Sequence, residues 1–259
     1  DPMTAQRALL QFHEVYDMPF GDTSGIPTRV LCETAREQVK VVLSADGGDE
    51  LFCGYDSYAR YMRGMDVLSR VPRGFRRLAA GVLRRAVPYR WILDKLGSDG
   101  DGARPQTIAR FEKLTDLLRV EGTGDLIRTM YEKAWAARDV HRLVGGLDHP
   151  VFDGSAIGGA GPVQEKSRLL DAMLRADFSV FLRDDILTKV DRASMSVSLE
   201  CRDPMLDHRL VEFAFSLPLD YLTSDAVPQK RILRHMLRRW LPATVVNAPK
   251  KGFSIPLYK

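Results

Sequence analysis

Hydrophobic and polar positions follow a helical period along most of the chain. Leu9, Leu10, Phe12, His13 and Tyr16 recur at helical spacing, which predicts a short amphipathic helix over 3–16. Residues 17–25 read as a loop from their Pro, Gly and Asp content. Ser24 is placed to cap a second helix that has Pro27 in its first turn and runs towards Gln38. Val39–Leu43 breaks the period. It is short, apolar and β-branched, and a Gly/Asp-rich loop follows at once, so it predicts a buried strand of a parallel sheet. From Glu50 onward only helical patterning is expected.

Residues 60–165 form a helical middle broken by Pro72, Pro88, the stretch 98–102 and Pro150, and 153–161 (DGSAIGGAG) reads as a small-residue linker. Leu170, Leu174, Phe178, Phe181, Leu182, Ile186 and Val190 form one stripe along a predicted helical segment, 167–195. Two more helices are predicted over 209–217 and 228–240, the second with Pro242 just past its end. A lone parallel strand needs neighbours, so the expected sheet has further strands outside this sequence. The fold class is α/β and strongly helix-rich, with few parallel strands. Its three stretches are 1–64, 65–165 and 166–259.

Composition narrows the class. The 259 residues are 45% hydrophobic and 28% charged, enough for a real core and far from a disordered or collagen-like chain. No apolar run approaches the ~20 residues of a membrane helix. Cys32, Cys53 and Cys201 are odd in number and widely spaced, which fits a reduced, cytoplasmic protein and no zinc-type pairing. Of the 38 basic residues 28 are Arg, nine of them between Arg60 and Arg90. Without interleaved aromatics or a nucleic-acid motif, that run reads as a solvated helical face, and nucleic acid is not the expected partner.

Chemistry concentrates after the predicted strand. Ser44-Ala45-Asp46-Gly47-Gly48-Asp49-Glu50 puts three carboxylates within five residues, with glycines after the first. Glycines let a backbone approach a phosphate closely, and clustered carboxylates are eased by a hard cation such as Mg²⁺. A solvated turn with an acidic helix start is the plainer reading of the same residues. The position at the carboxyl end of an apolar strand, where open α/β sheets bind ligands, favours function. Near the other end, Lys250 and Lys251 lie in a loop; a lysine there can offset charge on a reacting phosphoryl group, or merely aid solubility.

Three segments, in one order, resemble the glutamine-dependent asparagine synthetases. Ser44–Tyr55 resembles their LSGxGxDExFxGY loop, Asp185–Pro218 their DRxSMxxSLExRxPxLD segment, and Asn247–Leu257 their RxxKxGFxxPL loop. The resemblance implies part of an adenine-nucleotide α-hydrolase-like (ATP pyrophosphatase) domain. It implies ATP- and Mg²⁺-dependent activation of aspartate as β-aspartyl-AMP, followed by attack of ammonia drawn from glutamine. By match to the motifs, Ser44, Ala45 and Gly47 fall on the ATP-contacting loop. Asp46 falls on the acidic catalytic position. Asp49 and Glu50 fall on the pair near Mg²⁺-pyrophosphate and substrate, with Asp49 the metal position. Lys250 falls on the catalytic lysine, with Lys251 beside it. Asp191, Arg192, Glu200, Arg202 and Asp207 are expected mainly as a buried ion-pair network around the site, because lone buried charges are costly.

The sequence departs from the family pattern in places. Ala45 replaces the usual Gly and Ala248 the usual Arg ahead of Lys250. Neither the glutaminase domain with its N-terminal Cys nor the SGGxDS pyrophosphate loop is in the sequence. The expectation is an incomplete synthetase domain that alone neither hydrolyses glutamine nor turns over ATP efficiently. A homodimer is one assembly open to it. β-Lactam synthetases and lasso-peptide cyclases resemble the same family. The β-lactam branch carries Tyr where Asp46 sits, so Asp46 favours an intermolecular amine and a carboxylate base. Amide-forming relatives with another carboxylate acceptor, and a non-catalytic relative that binds a partner, are the alternative readings.

Overall fold

A computed structural model describes residues 2–18, 20–86, 111–131, 166–224 and 229–248. The chain divides into two compact units, 1–56 with 177–259, and 57–176.

In the first unit, the helix predicted over 3–16 is two helices, α1 (Pro2–Leu10) and α2 (Phe12–Val15). Ser24 sits at the N-cap of α3 (Gly25–Arg36), but its hydroxyl donates to Asp22 Oδ2 at 2.6 Å instead of capping the helix. The predicted strand is confined to β1 (Val41–Leu43). It pairs in parallel with β2 (Glu200–Arg202), Val41 opposite Glu200 and Leu43 opposite Arg202. β2 is a strand where only helix was expected, since Glu-Cys-Arg carries one apolar residue and no alternation to signal it. β1 is not buried as expected. Leu43 is 73% exposed, and Val39 and Val41 on the same alternating face are also exposed. Inward, Val42 packs on a core of Cys32 from α3, Ala193 and Leu199.

The loop after β1 enters the short helix α4 (Gly48–Leu51), and α5 (Asp56–Ser69) follows. α4 packs on a π-helix, Asp177–Leu187, which precedes α9 (Thr188–Met195) in the chain. Leu182 of the stripe is buried there. Beyond β2 come a 3₁₀ turn (Pro204–Leu206), α10 (His208–Ser216), α11 (Leu219–Leu222), α12 (Arg231–Leu237) and α13 (Ala243–Val246).

The second unit holds α5 from Ser57 onward, α6 (Arg73–Ala86), a helical stretch 111–117, α7 (Thr123–Tyr131) and α8 (Lys166–Ala176). α7 and α8 share a core of Ile127, Ala172 and Ala176. Six of the eight described arginines between 60 and 90 are engaged within the chain: Arg63 with the Ala59 carbonyl, Arg70 with Asp66, Arg73 with the Glu121 carbonyl, Arg76 with the Val120 carbonyl, Arg77 with Glu121 and Arg84 with Asp116. Arg90 and the 153–161 linker lie outside the described residues. Among the described residues no helix is long and apolar enough to cross a membrane.

Candidate active site

The parallel ladder sets the position of the acidic loop. Its last bond, Ser44 N–H to the Arg202 carbonyl at 2.9 Å, carries the pairing one residue past β1. Ser44 is thereby fixed beside the turn that follows β2, where Asp203 lies. Ser44 Oγ donates to Asp46 Oδ2 at 2.6 Å, which orients that half-buried carboxylate. Asp203 is a second acid at the same point. Burial and the charge of Asp46 hold its carboxyl above the usual carboxylate range, with the nearby Ser44 hydroxyl opposing the rise. The family pattern leaves the position of Asp203 open, so nothing in the sequence marks it.

Gly47 turns the chain from loop into α4 with φ +87°, and a Cβ there would run into the Leu206 side chain. Only glycine meets both demands. The three acids then separate. Asp49 Oδ1 is 2.7 Å from Lys230 Nζ, a partly buried ion pair. Glu50 is withdrawn inward, 2% exposed, and accepts the Tyr55 hydroxyl. Burial raises the Glu50 carboxyl, opposed by the Tyr55 bond, and burial with the neighbouring Glu50 charge raises the Tyr55 hydroxyl. Tyr55 packs edge-on to Phe181 of the π-helix at 5.9 Å. Glu50 is therefore an internal support of α4, while Asp46 and Asp49 remain at the loop.

Lys230 is the residue the sequence reading missed. Its backbone N–H donates to the Phe52 carbonyl at 3.1 Å, and it adopts φ +47°, ψ +41°, a left-handed conformation costly for a non-glycine. Gly54 leaves the room: a Cβ there would fall on Asp49 Oδ1 and the Lys230 Cε. One signal was available. A cation at the start of a helix opposes the helix dipole, and such a local mismatch points to a partner elsewhere.

The expected buried charge network is not what forms. Arg202 and Glu200 pair at 2.7 Å on the surface, since they occupy the exposed face of the short strand β2. Arg192 pairs with exposed Asp17 at 2.9 Å, and Asp191 is exposed. Asp207 caps α10 by accepting the Arg209 N–H at 2.9 Å and pairs with the Arg209 guanidinium. The buried pair is another one. Lys189 Nζ lies 2.7 Å from Asp22 Oδ2 and 2.8 Å from Ser24 Oγ. Lys250 and Lys251 lie outside the described residues.

A carboxylate oriented by a hydroxyl at the end of a parallel strand, as Asp46 is, can accept a proton, and a lysine such as Lys230, paired with Asp49, can offset anionic oxygens. Among the described residues no three metal-ligating side chains converge.

The family model for asparagine synthase matches residues 2–259. The chain belongs to the asparagine synthase family. A Mycobacterium tuberculosis relative that carries the name of a glutamine-hydrolyzing asparagine synthetase is 31% identical over 251 residues. That match covers 93% of this chain and 33% of the relative. Asparagine synthetase 1 (glutamine-hydrolyzing) of Bacillus subtilis is 26% identical over 245 residues, 93% of this chain and 35% of its own length. Amidase chyE of Penicillium rubens is 24% identical over 257 residues, 93% of this chain and 36% of its own. The chain thus spans about a third of the length of these three relatives. No solved structure matches it.

Proposed function

We propose that this chain is the C-terminal part of a synthetase domain that converts aspartate to asparagine. ATP activates the side-chain carboxylate as β-aspartyl-AMP, and ammonia derived from glutamine displaces AMP. Atoms balance: the carboxylate oxygen attacks the α-phosphorus and pyrophosphate leaves, then nitrogen attacks the acyl carbon and AMP leaves with that oxygen. In this reading Ser44, Ala45 and Gly47 border the nucleotide. Asp46, held by Ser44, takes the proton that the attacking ammonia loses. Asp49 is the residue that would help hold a phosphate-bound Mg²⁺, which would supply charge neutralisation. Lys250, with Lys251 beside it, offsets charge at the α-phosphate, and Lys230 adds a second cation at Asp49. Glu50 supports the loop from inside.

The observation that carries the reading is the Ser44–Asp46 hydrogen bond at 2.6 Å at the carboxyl end of β1. The test uses the full polypeptide that contains this segment. Asp46→Asn is expected to lower amide formation by about 10²–10⁴-fold, the usual worth of a positioned base, with pyrophosphate–ATP exchange in the presence of aspartate largely kept. An unchanged rate of asparagine formation would sink the role of Asp46. Loss of exchange alone would move it to the activation step. The name of the amidase relative supports a second reading, amide chemistry on another carboxylate; substitution of other acids for aspartate in the exchange assay separates the two.

A further inference from the structure

α6 is mounted with its polar edge inward. Arg76 is 7% exposed and donates to the Val120 carbonyl at 3.1 Å, and Ala80 is fully buried. Arg84 Nε donates to Thr115 Oγ1 at 3.0 Å, and Arg73 donates to the Glu121 carbonyl at 3.2 Å. These anchors pin the helix to residues 111–121 and turn its apolar stripe to solvent. Phe75, Leu78 and Val82 are 67%, 64% and 54% exposed. Their spacing of three and four puts them on one line along the helix.

Beside that line runs an open groove of about 650 Å³, walled by Leu78, Val82, Arg77, Arg84, Arg85 and Arg119. No carboxylate is among its lining residues. Arg77 and Arg84 already hold Glu121 and Asp116, whereas Arg85 and Arg119 form no ion pair among the described residues. An exposed apolar line between unpaired guanidinium groups is the surface that an amphipathic helix with flanking acids would cover.

We propose that this face of α6 docks an acidic amphipathic helix of a partner protein. Apolar ridges of that helix would enter between Leu78 and Val82, and its carboxylates would meet Arg85 and Arg119. A bilayer fits less well. Helices that lie on membranes carry a broad apolar face, whereas this stripe is a single line of three side chains, and a flat surface leaves the groove unfilled. A nucleic acid would use the arginines but gain nothing from Leu78 and Val82.

The probe is a fluorescent peptide of about 20 residues, long enough to form a helix, built from Leu, Ala and Glu with leucines on one seam. An isomer with the same composition and scattered leucines is the control, together with vesicles of equal parts phosphatidylglycerol and phosphatidylcholine. The purified full polypeptide that contains this segment is expected to bind the seamed peptide, to bind the isomer and the vesicles at least about tenfold more weakly, and to lose affinity about tenfold in Leu78→Asp and in Arg85→Glu. Circular dichroism verifies that each variant is folded. Should Leu78→Asp unfold, Arg119→Glu takes its place, since that side chain is exposed. Equal binding of both peptides, tighter binding of vesicles, unchanged affinity in the variants, or no binding of the seamed peptide would each overturn the proposal.

Discussion

At the scale of single residues, the charges in the DRASM segment and beyond sort by what surrounds them. Lys189 is nearly buried and holds Asp22, whereas Arg202 and Glu200 face water. Removing one partner of a buried pair strands the other, at a cost of about 3–5 kcal/mol, while exposed pairs contribute about 0–1 kcal/mol. Lys189→Ala is thus expected to lower the unfolding free energy by about 3 kcal/mol, because Asp22 keeps some contact with water, and Arg202→Ala by less than about 1 kcal/mol, both read by urea unfolding. A sequence shows that these residues are charged. It does not show which of them meet, because Lys189 finds its partner 167 positions away.

Two carboxyls give opposite pH signatures. Burial raises Asp22, but the hydrogen bonds from Lys189 and Ser24 outweigh it and leave the group below its ordinary 3.8. Its stabilisation is therefore complete above that ordinary value and fades as pH falls through the lowered folded one. Burial leaves Glu50 above its ordinary 4.5, so the folded state binds this proton more tightly than the unfolded chain does. That contribution is complete below 4.5 and is lost as pH rises through the raised folded value. Glu50→Gln still accepts the Tyr55 hydroxyl and carries no charge. Urea unfolding should find it at least as stable as the parent at pH 7, with a flatter profile between pH 4.5 and neutrality. An unchanged profile would mean that the Glu50 charge is better solvated than its burial implies.

At the scale of elements, the acidic loop depends on two glycines that act differently. Gly47→Ala meets a left-handed φ, worth about 1–2 kcal/mol, and the Leu206 side chain besides. Gly54→Ala meets the carboxylate of Asp49 and forces the Asp49–Lys230 pair apart. The first is expected mainly to lower the melting temperature. The second should also disorder the loop, visible as faster amide exchange at Asp49 and Glu50. The loop itself was legible from sequence, since glycines and carboxylates after an apolar run are a local signal. β2 was not, because three residues with one apolar side chain have no period. The stripe over 167–195 was legible as a helix, yet the π pitch of 177–187 was not, because i→i+5 bonding arises from packing and leaves no simple composition mark. Lys230 was hidden for a related reason: its role comes from a backbone conformation and a contact distant in sequence.

At the scale of the whole molecule, the sequence reading placed divisions near 64 and 165, where the resemblance weakens, whereas the contacts divide the chain after Asp56 and after Ala176. Motif density follows chemistry, and contact density follows packing, so the two need not coincide. The exposed face of β1 has a consequence for the isolated chain. Leu43, Val41 and Val39 form an uncovered apolar edge region of the kind that associates with other molecules. Leu43→Lys is expected to lower light scattering of concentrated solutions without shifting the melting temperature. Unchanged scattering would place the sticky surface elsewhere.

The parallel pairing of β1 with β2 also fixes an order of events during synthesis. Val42 lies opposite Cys201, so the strand waits on the order of 160 residues for its only described neighbour. Closing such a span costs on the order of 4–5 kcal/mol of chain entropy before any contact repays it. A ribosome making this chain therefore completes every residue of 57–176 while Ser44–Glu50 still lacks the ladder bond that aims it. The acidic loop takes its aimed position late in synthesis.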